Sequence, residues 1–171
     1  MRTGGLLGCV VASALTASLL AGCNGITPTW LGDTGVGVAD DGSPVLVIAA
    51  CDEVVTSVEF TSGNPPISNE WVAGDGRTET FDVDLEDPTG WKVVQPRRDV
   101  LPATGEVLAV ADFEGRTENS GLGLVFYTAS SFDTFEPGYV YVSTSIGADG
   151  PPVFDRLSRA DFTQGACDGR R

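Results

Sequence analysis

From Val36 to Ser145 the apolar residues recur mainly at every second position, and turn signals separate one such run from the next. No stretch sustains an apolar period near 3.6. Side chains alternate across a strand, so a period of two is what a strand with one buried face requires. Val36 and Val38 lead into Asp40-Asp41-Gly42, a strong turn signal, and then into Val45-Leu46-Val47-Ile48-Ala49-Ala50. That second run is apolar on both faces and is expected to be a central strand, with Cys51 where the chain leaves the sheet. Val54, Thr56, Val58 and Phe60 alternate with Val55, Ser57, Glu59 and Thr61 as a half-buried strand that Gly63-Asn64-Pro65-Pro66 ends.

Further strands are expected at Trp71-Val72-Ala73, before a Gly74-Asp75-Gly76 turn, and from Thr78 to Leu85. There Phe81, Val83 and Leu85 face one side while Thr80, Asp82 and Asp84 face the other. Trp91 to Val94 is stopped by Pro96. Glu106–Phe113, Gly121–Thr128 and Gly138–Ser145 are three more candidates. One short helix is expected, with Ser158 capping a turn through Asp161 and Phe162 on its buried side. Seven to nine short strands with at most one C-terminal helix describe an all-β domain. A single β-sandwich, Ig-like or related, is the expected fold.

The N-terminus reads differently. Arg2 precedes an apolar run from Leu6 to Leu20 that is short for a membrane span, and Leu20-Ala21-Gly22-Cys23 closes it. This resembles the signal peptide of bacterial lipoproteins, ending in a lipobox. The resemblance implies cleavage between Gly22 and Cys23, a diacylglycerol on the Cys23 sulfur, and a protein held on the outer face of the cell membrane. A second string, Leu6-Leu7-Gly8-Cys9, has too little apolar chain ahead of it to serve. The expected organisation is therefore a leader at 1–22, a lipidated tether at 23–33, and one domain at 34–171. The lipobox, the Gly35-Val36-Gly37-Val38 hairpin start, Cys51 and Cys167 together are similar to small secreted actinobacterial lipoprotein domains, which implies a compartment and no activity.

Loss of the leader would leave 149 of 171 residues, the usual size of one domain. It also removes one cation from a formal charge of −14, leaving −15. The acid is spread from Asp33 to Asp168. Such a surface disfavours nucleic acid and anionic lipid head groups, so the only membrane contact expected is the lipid on Cys23. Cys9 would leave with the leader and Cys23 would carry the lipid. Cys51 and Cys167 remain as one pair in an oxidising compartment, where a disulfide is the default. As a metal site the pair would be short of ligands, because the chain has no histidine.

That absence also removes Ser-His-Asp and Cys-His catalysis. Lys92 is the only lysine, and no Ser-x-x-Lys precedes it. Gly121-Leu122-Gly123 lacks the rest of a dinucleotide fingerprint and reads as packing or a bulge. Paired carboxylates are the one catalytic option, at Asp112/Glu114 and Asp133/Glu136, where glycan hydrolysis would be the chemistry. The densest acidic string, Asp82, Asp84, Glu86 and Asp87, reads as a solvated outer face before it reads as a calcium site. No catalytic residue, metal or cofactor is therefore expected.

Tyr139 and Tyr141 fall on one face of a strand. With Trp71 and Trp91 they are the candidate binding face, Trp30 being a further aromatic to consider. The expected function is a non-catalytic, membrane-anchored domain that binds an envelope protein or a wall glycan. The alternatives are the carboxylate hydrolase and a structural accessory subunit of an envelope complex.

Overall fold

The computed structural model describes residues 29–63, 66–94, 99–117, 120–144 and 151–168. The leader, Cys23 and residues 24–28 of the expected tether lie outside them. In chain order the strands are β1 (Thr29–Val38), β2 (Pro44–Ala49), β3 (Val55–Ser62), β4 (Ile67–Arg77), β5 (Thr80–Asp84) and β6 (Trp91–Val93). Then come β7 (Val107–Phe113), β8 (Ser120–Leu122), β9 (Leu124–Tyr127), β10 (Tyr139–Ser143), β11 (Phe154–Ser158) and the helix α1 (Arg159–Cys167). They form a β-sandwich. Sheet I runs β11-β10-β1-β2-β5, with β8 parallel to the start of β1, and sheet II runs β6-β4-β3-β7-β9. Every other pairing is antiparallel.

The β1–β2 hairpin turns at Asp40-Asp41-Gly42, as its sequence requires. Gly42 takes φ 88°, and Asp41 accepts from the Ser43 N–H and hydroxyl at 3.0 and 2.8 Å. Those two bonds hold the Asp41 carboxyl below its usual pKa. β2 is the doubly apolar strand, and both its faces are buried. Leu46, Ile48 and Ala50 join the core between the sheets, whereas Val45, Val47 and Ala49 pack under α1. The helix starts where expected, with the Ser158 hydroxyl accepting from the Asp161 N–H at 3.1 Å. It seats Phe162 and Ala166 on the outer face of sheet I. Gly35 of β1 leaves the space for this, since a Cβ there would meet Val140 and Phe162. The Cys51–Cys167 disulfide then ties the last turn of α1 to the end of β2, with the Cα atoms 5.1 Å apart.

The core between the sheets contains Val36, Val58, Phe60, Trp71, Val83, Val107 and Tyr127. A six-residue 3₁₀ segment, Ala129–Thr134, leads an aromatic chain into this core. Phe132 meets Tyr127 edge-on at 5.5 Å, Phe135 meets Phe132 at 5.5 Å, and Phe135 stacks on Tyr141 at 3.9 Å. The Tyr127 hydroxyl donates to the Val100 carbonyl at 2.8 Å. Burial, with the Asp99 carboxylate adding to it, pushes that hydroxyl well above its ordinary pKa, so it stays protonated.

Several expectations need correction. β4 does not end at Gly74-Asp75-Gly76 but runs on to Arg77. Between Ser57↔Val72 and Val55↔Arg77 its extra residues bulge out, and Gly74 donates to the Gly90 carbonyl at 3.4 Å. The same irregularity makes Val55 and Val58 both buried, a break in strict alternation. The Gly121–Thr128 run is two strands broken at Gly123. β11 has no sequence signal because it is an edge strand with Asp155 and Arg156 both exposed. Finally, β1 begins at Thr29, so residues 29–33 are sheet, with Leu31 and Asp33 buried.

Candidate functional site

The four aromatics expected to share a binding face do not. Trp71 is 1% exposed and packs against Phe60 in the core, with ring centroids 4.9 Å apart. Its position on β4, between β3 and β6, gives it no route to solvent. Tyr141 points inward as well. It stacks on Phe135, and its hydroxyl accepts from the Glu136 N–H at 3.0 Å. Tyr139 is exposed at the start of β10, but the Arg156 guanidinium lies 4.4 Å from its ring centroid and is held there by Glu136 at 2.8 Å. Trp91 is on sheet II, half-buried. Arg77 lies 5.3 Å from its ring and 5.4 Å from that of Phe81. Two of the four are core, and the other two already carry an arginine.

The carboxylates are likewise distributed. Asp112 pairs with Arg116 at 2.9 Å and Glu136 with Arg156. Asp82 holds Arg159 through both oxygens, at 3.0 and 2.6 Å. Asp84 accepts from the N–H groups of Glu86 and Asp87, and Asp87 accepts from Thr89. The acidic string thus builds a turn after β5 and anchors the start of α1.

A concave surface lies elsewhere, around Trp30. β8 accompanies β1 over Thr29–Gly32, and β10 meets β1 at Val36, so Asp33 and Thr34 fall between the two pairings. The chain leaves β8 at Gly123 and enters sheet II as β9, and here β8 and β10 diverge. The gap is a groove of about 550 Å³ lined by Trp30, Asp33, Leu122, Leu124, Ser143 and Asp155 among others. Asp33 is 8% exposed, and its Oδ1 accepts from the Thr34 N–H at 2.8 Å. It supplies the acceptor that an adjoining strand would otherwise provide. The Gly123 N–H donates to the Gly32 carbonyl at 3.2 Å. A Cβ on Gly123 would run into the Asp33 carboxylate, so only glycine lets the strand change sheets this close to the acid.

Across the gap the Ser143 hydroxyl accepts from the Phe126 N–H at 3.0 Å, tying β10 to β9. Thr144 donates its N–H to the Val153 carbonyl at 2.9 Å, which leaves the Val153 side chain 59% exposed two residues before Asp155. On its other side Trp30 lines a second groove of about 370 Å³, with Cys51, Asp52, Glu79, Thr163 and Cys167. The Thr80 and Thr163 hydroxyls bond each other there at 2.9 Å. Asp33 and Asp155 on one side and Asp52 and Glu79 on the other make this end of the sandwich acidic. Of the aromatics considered from sequence, Trp30 is the one that lines these two grooves.

Among the described residues no helix is long and apolar enough to cross a membrane. No protein-family model, curated protein or solved structure matches the chain.

Proposed function

We propose that the chain is a lipid-anchored, extracytoplasmic binding module. Cys23 carries the lipid, and the groove beside Trp30 takes a cell-envelope protein or wall glycan. The observation that carries the reading is that groove. Its volume is in the range of ligand sites, and it combines apolar walls with a few polar groups. It also lies at the end of the sandwich where the chain enters. Seven residue steps separate Cys23 from Trp30, which reach at most about 23–25 Å when extended. A lipid on Cys23 would hold the groove near the bilayer.

The reading is non-catalytic. Asp112, Glu114, Asp133 and Glu136 line neither groove at Trp30. Asp112 and Glu136 are engaged in exposed ion pairs with Arg116 and Arg156.

The anchor is tested by replacing Cys23 with Ala and fractionating the cells. The parent is expected in the membrane fraction and the variant in the soluble one, because the lipid on Cys23 is the membrane contact this reading supplies. A variant that stays with the membrane as firmly as the parent would refute the anchor.

A further inference from the structure

We infer that the Trp30 end of the sandwich recognises a cationic, extended peptide segment, its lysine or arginine side chains lying between Trp30 and the surrounding carboxylates. The inference rests on the binding-module reading and names the chemistry of its ligand. Four carboxylates line the two grooves that share Trp30, and none of the described residues lining either is basic. The described arginines are engaged elsewhere: Arg77 between Phe81 and Trp91, and Arg116, Arg156 and Arg159 in ion pairs.

A second, independent source of negative potential is α1. Its C-terminal turn, with Thr163 and Cys167, borders the smaller groove and contains no basic residue. The carbonyls there present the negative end of the helix dipole, which favours a cation. Trp30 offers an aromatic face to the same charge. The apolar part of the lining matches the rest of such a segment. Leu124, 40% exposed, lines the groove with Leu122 and Val142, and Val153, 59% exposed, is bonded to the lining residue Thr144. Lysine and arginine carry aliphatic stems that bury along such surface while the head group stays near the acids. A neutral glycan would use the tryptophan and gain nothing from this concentration of acid.

The test titrates the full chain, purified in detergent, with a dye-labelled acetyl-Lys-Leu-Lys-Leu-Lys amide and follows fluorescence anisotropy. Saturable binding is expected, weakening as salt is raised. Asp155→Asn removes an exposed acid without disturbing the core, and should weaken binding by about threefold, the range of one solvated ion pair. Trp30→Ala should weaken it further, with a thermal melt confirming that the variant is folded. Asp133→Asn, an exposed acid far from the groove in sequence and outside its lining, should leave binding unchanged.

Equal weakening by Asp133→Asn would overturn the inference in favour of diffuse attraction to an acidic surface. Absence of saturable binding would overturn it too. Binding that emerges only in an Arg170→Gln/Arg171→Gln variant would assign the site to the chain's own C-terminal arginines and sink the partner. Trp30-dependent binding of an N-acetylglucosamine tetramer in place of the peptide would reject the cationic ligand and leave the binding module standing.

Discussion

Replacing both Cys51 and Cys167 with serine is expected to lower the unfolding free energy by on the order of 4–5 kcal/mol in the chain-entropy account of a long cross-link. The two cysteines are 116 residues apart, so the bond removes a large share of the freedom of the unfolded chain. Typical domains are stable by about 5–15 kcal/mol, and the loss would be a large fraction of that. The change should start at α1. Nine residues are too few to hold a helix alone, and its grip on sheet I rests on Phe162 and Ala166 over β1 and β2. In the serine variant the amides of α1 should therefore exchange before those of β2 and β3. Urea unfolding of parent and variant gives the total, with a lower midpoint at a similar slope. A loss below about 1 kcal/mol would mean that the cross-link constrains little, against the loop-length argument.

Trp71→Ala is expected to cost about 3–5 kcal/mol, the usual range for emptying a large aromatic site in a core. Trp91→Ala should cost about 1 kcal/mol, because its half-buried ring mainly loses the stacked Arg77 guanidinium. Trp71→Phe separates packing from polarity. The Trp71 indole N–H is buried with no hydrogen-bond partner among the described residues, so removing it takes away a polar group that burial penalises. The Phe variant should therefore recover much of the stability lost in the Ala variant. Equal costs at Trp71 and Trp91 would show that the two tryptophans are not sorted into core and seam as the structure places them.

The same contrast shows what the sequence could and could not disclose. Fold class was legible because period-two runs and turns are local. Val45–Ala50, apolar on both faces, announced a strand covered on both sides, and the structure supplies the second cover as α1. Ser158 and Phe162 announced the helix itself. The disulfide was legible from counting, since Cys51 and Cys167 are the pair left once Cys9 and Cys23 are assigned to the expected leader and lipid.

Strand boundaries that depend on a neighbour were not. Gly74-Asp75-Gly76 has the composition of a turn, yet β3 and β6 hold it within β4 as a bulge. β11 exists because β10 offers it an edge, not because Phe154–Ser158 alternates. The candidate site failed for a similar reason. Tyr139 and Tyr141 do share a face, but the 3₁₀ segment before β10 folds back so that Phe135 covers Tyr141, while Tyr139 stays exposed. Trp71 and Trp91 look alike in sequence and are separated only by tertiary burial. The groove at Trp30 arises where β8 and β10 part along β1, and no local pattern encodes such a fork.

Recognition at the Trp30 end is the central functional claim, and it can be measured without knowing the ligand. A photoreactive phenylalanine analogue is placed at Leu124, on the groove rim, and in a second protein at Val94, which is 49% exposed just after β6 on sheet II. Both are expressed as full chains and irradiated in intact cells. A discrete adduct is expected from Leu124, diminished when Asp155→Lys is added, and none from Val94. An adduct from Val94 with none from Leu124 would contradict the claim and move recognition to the far edge of sheet II, beside β6.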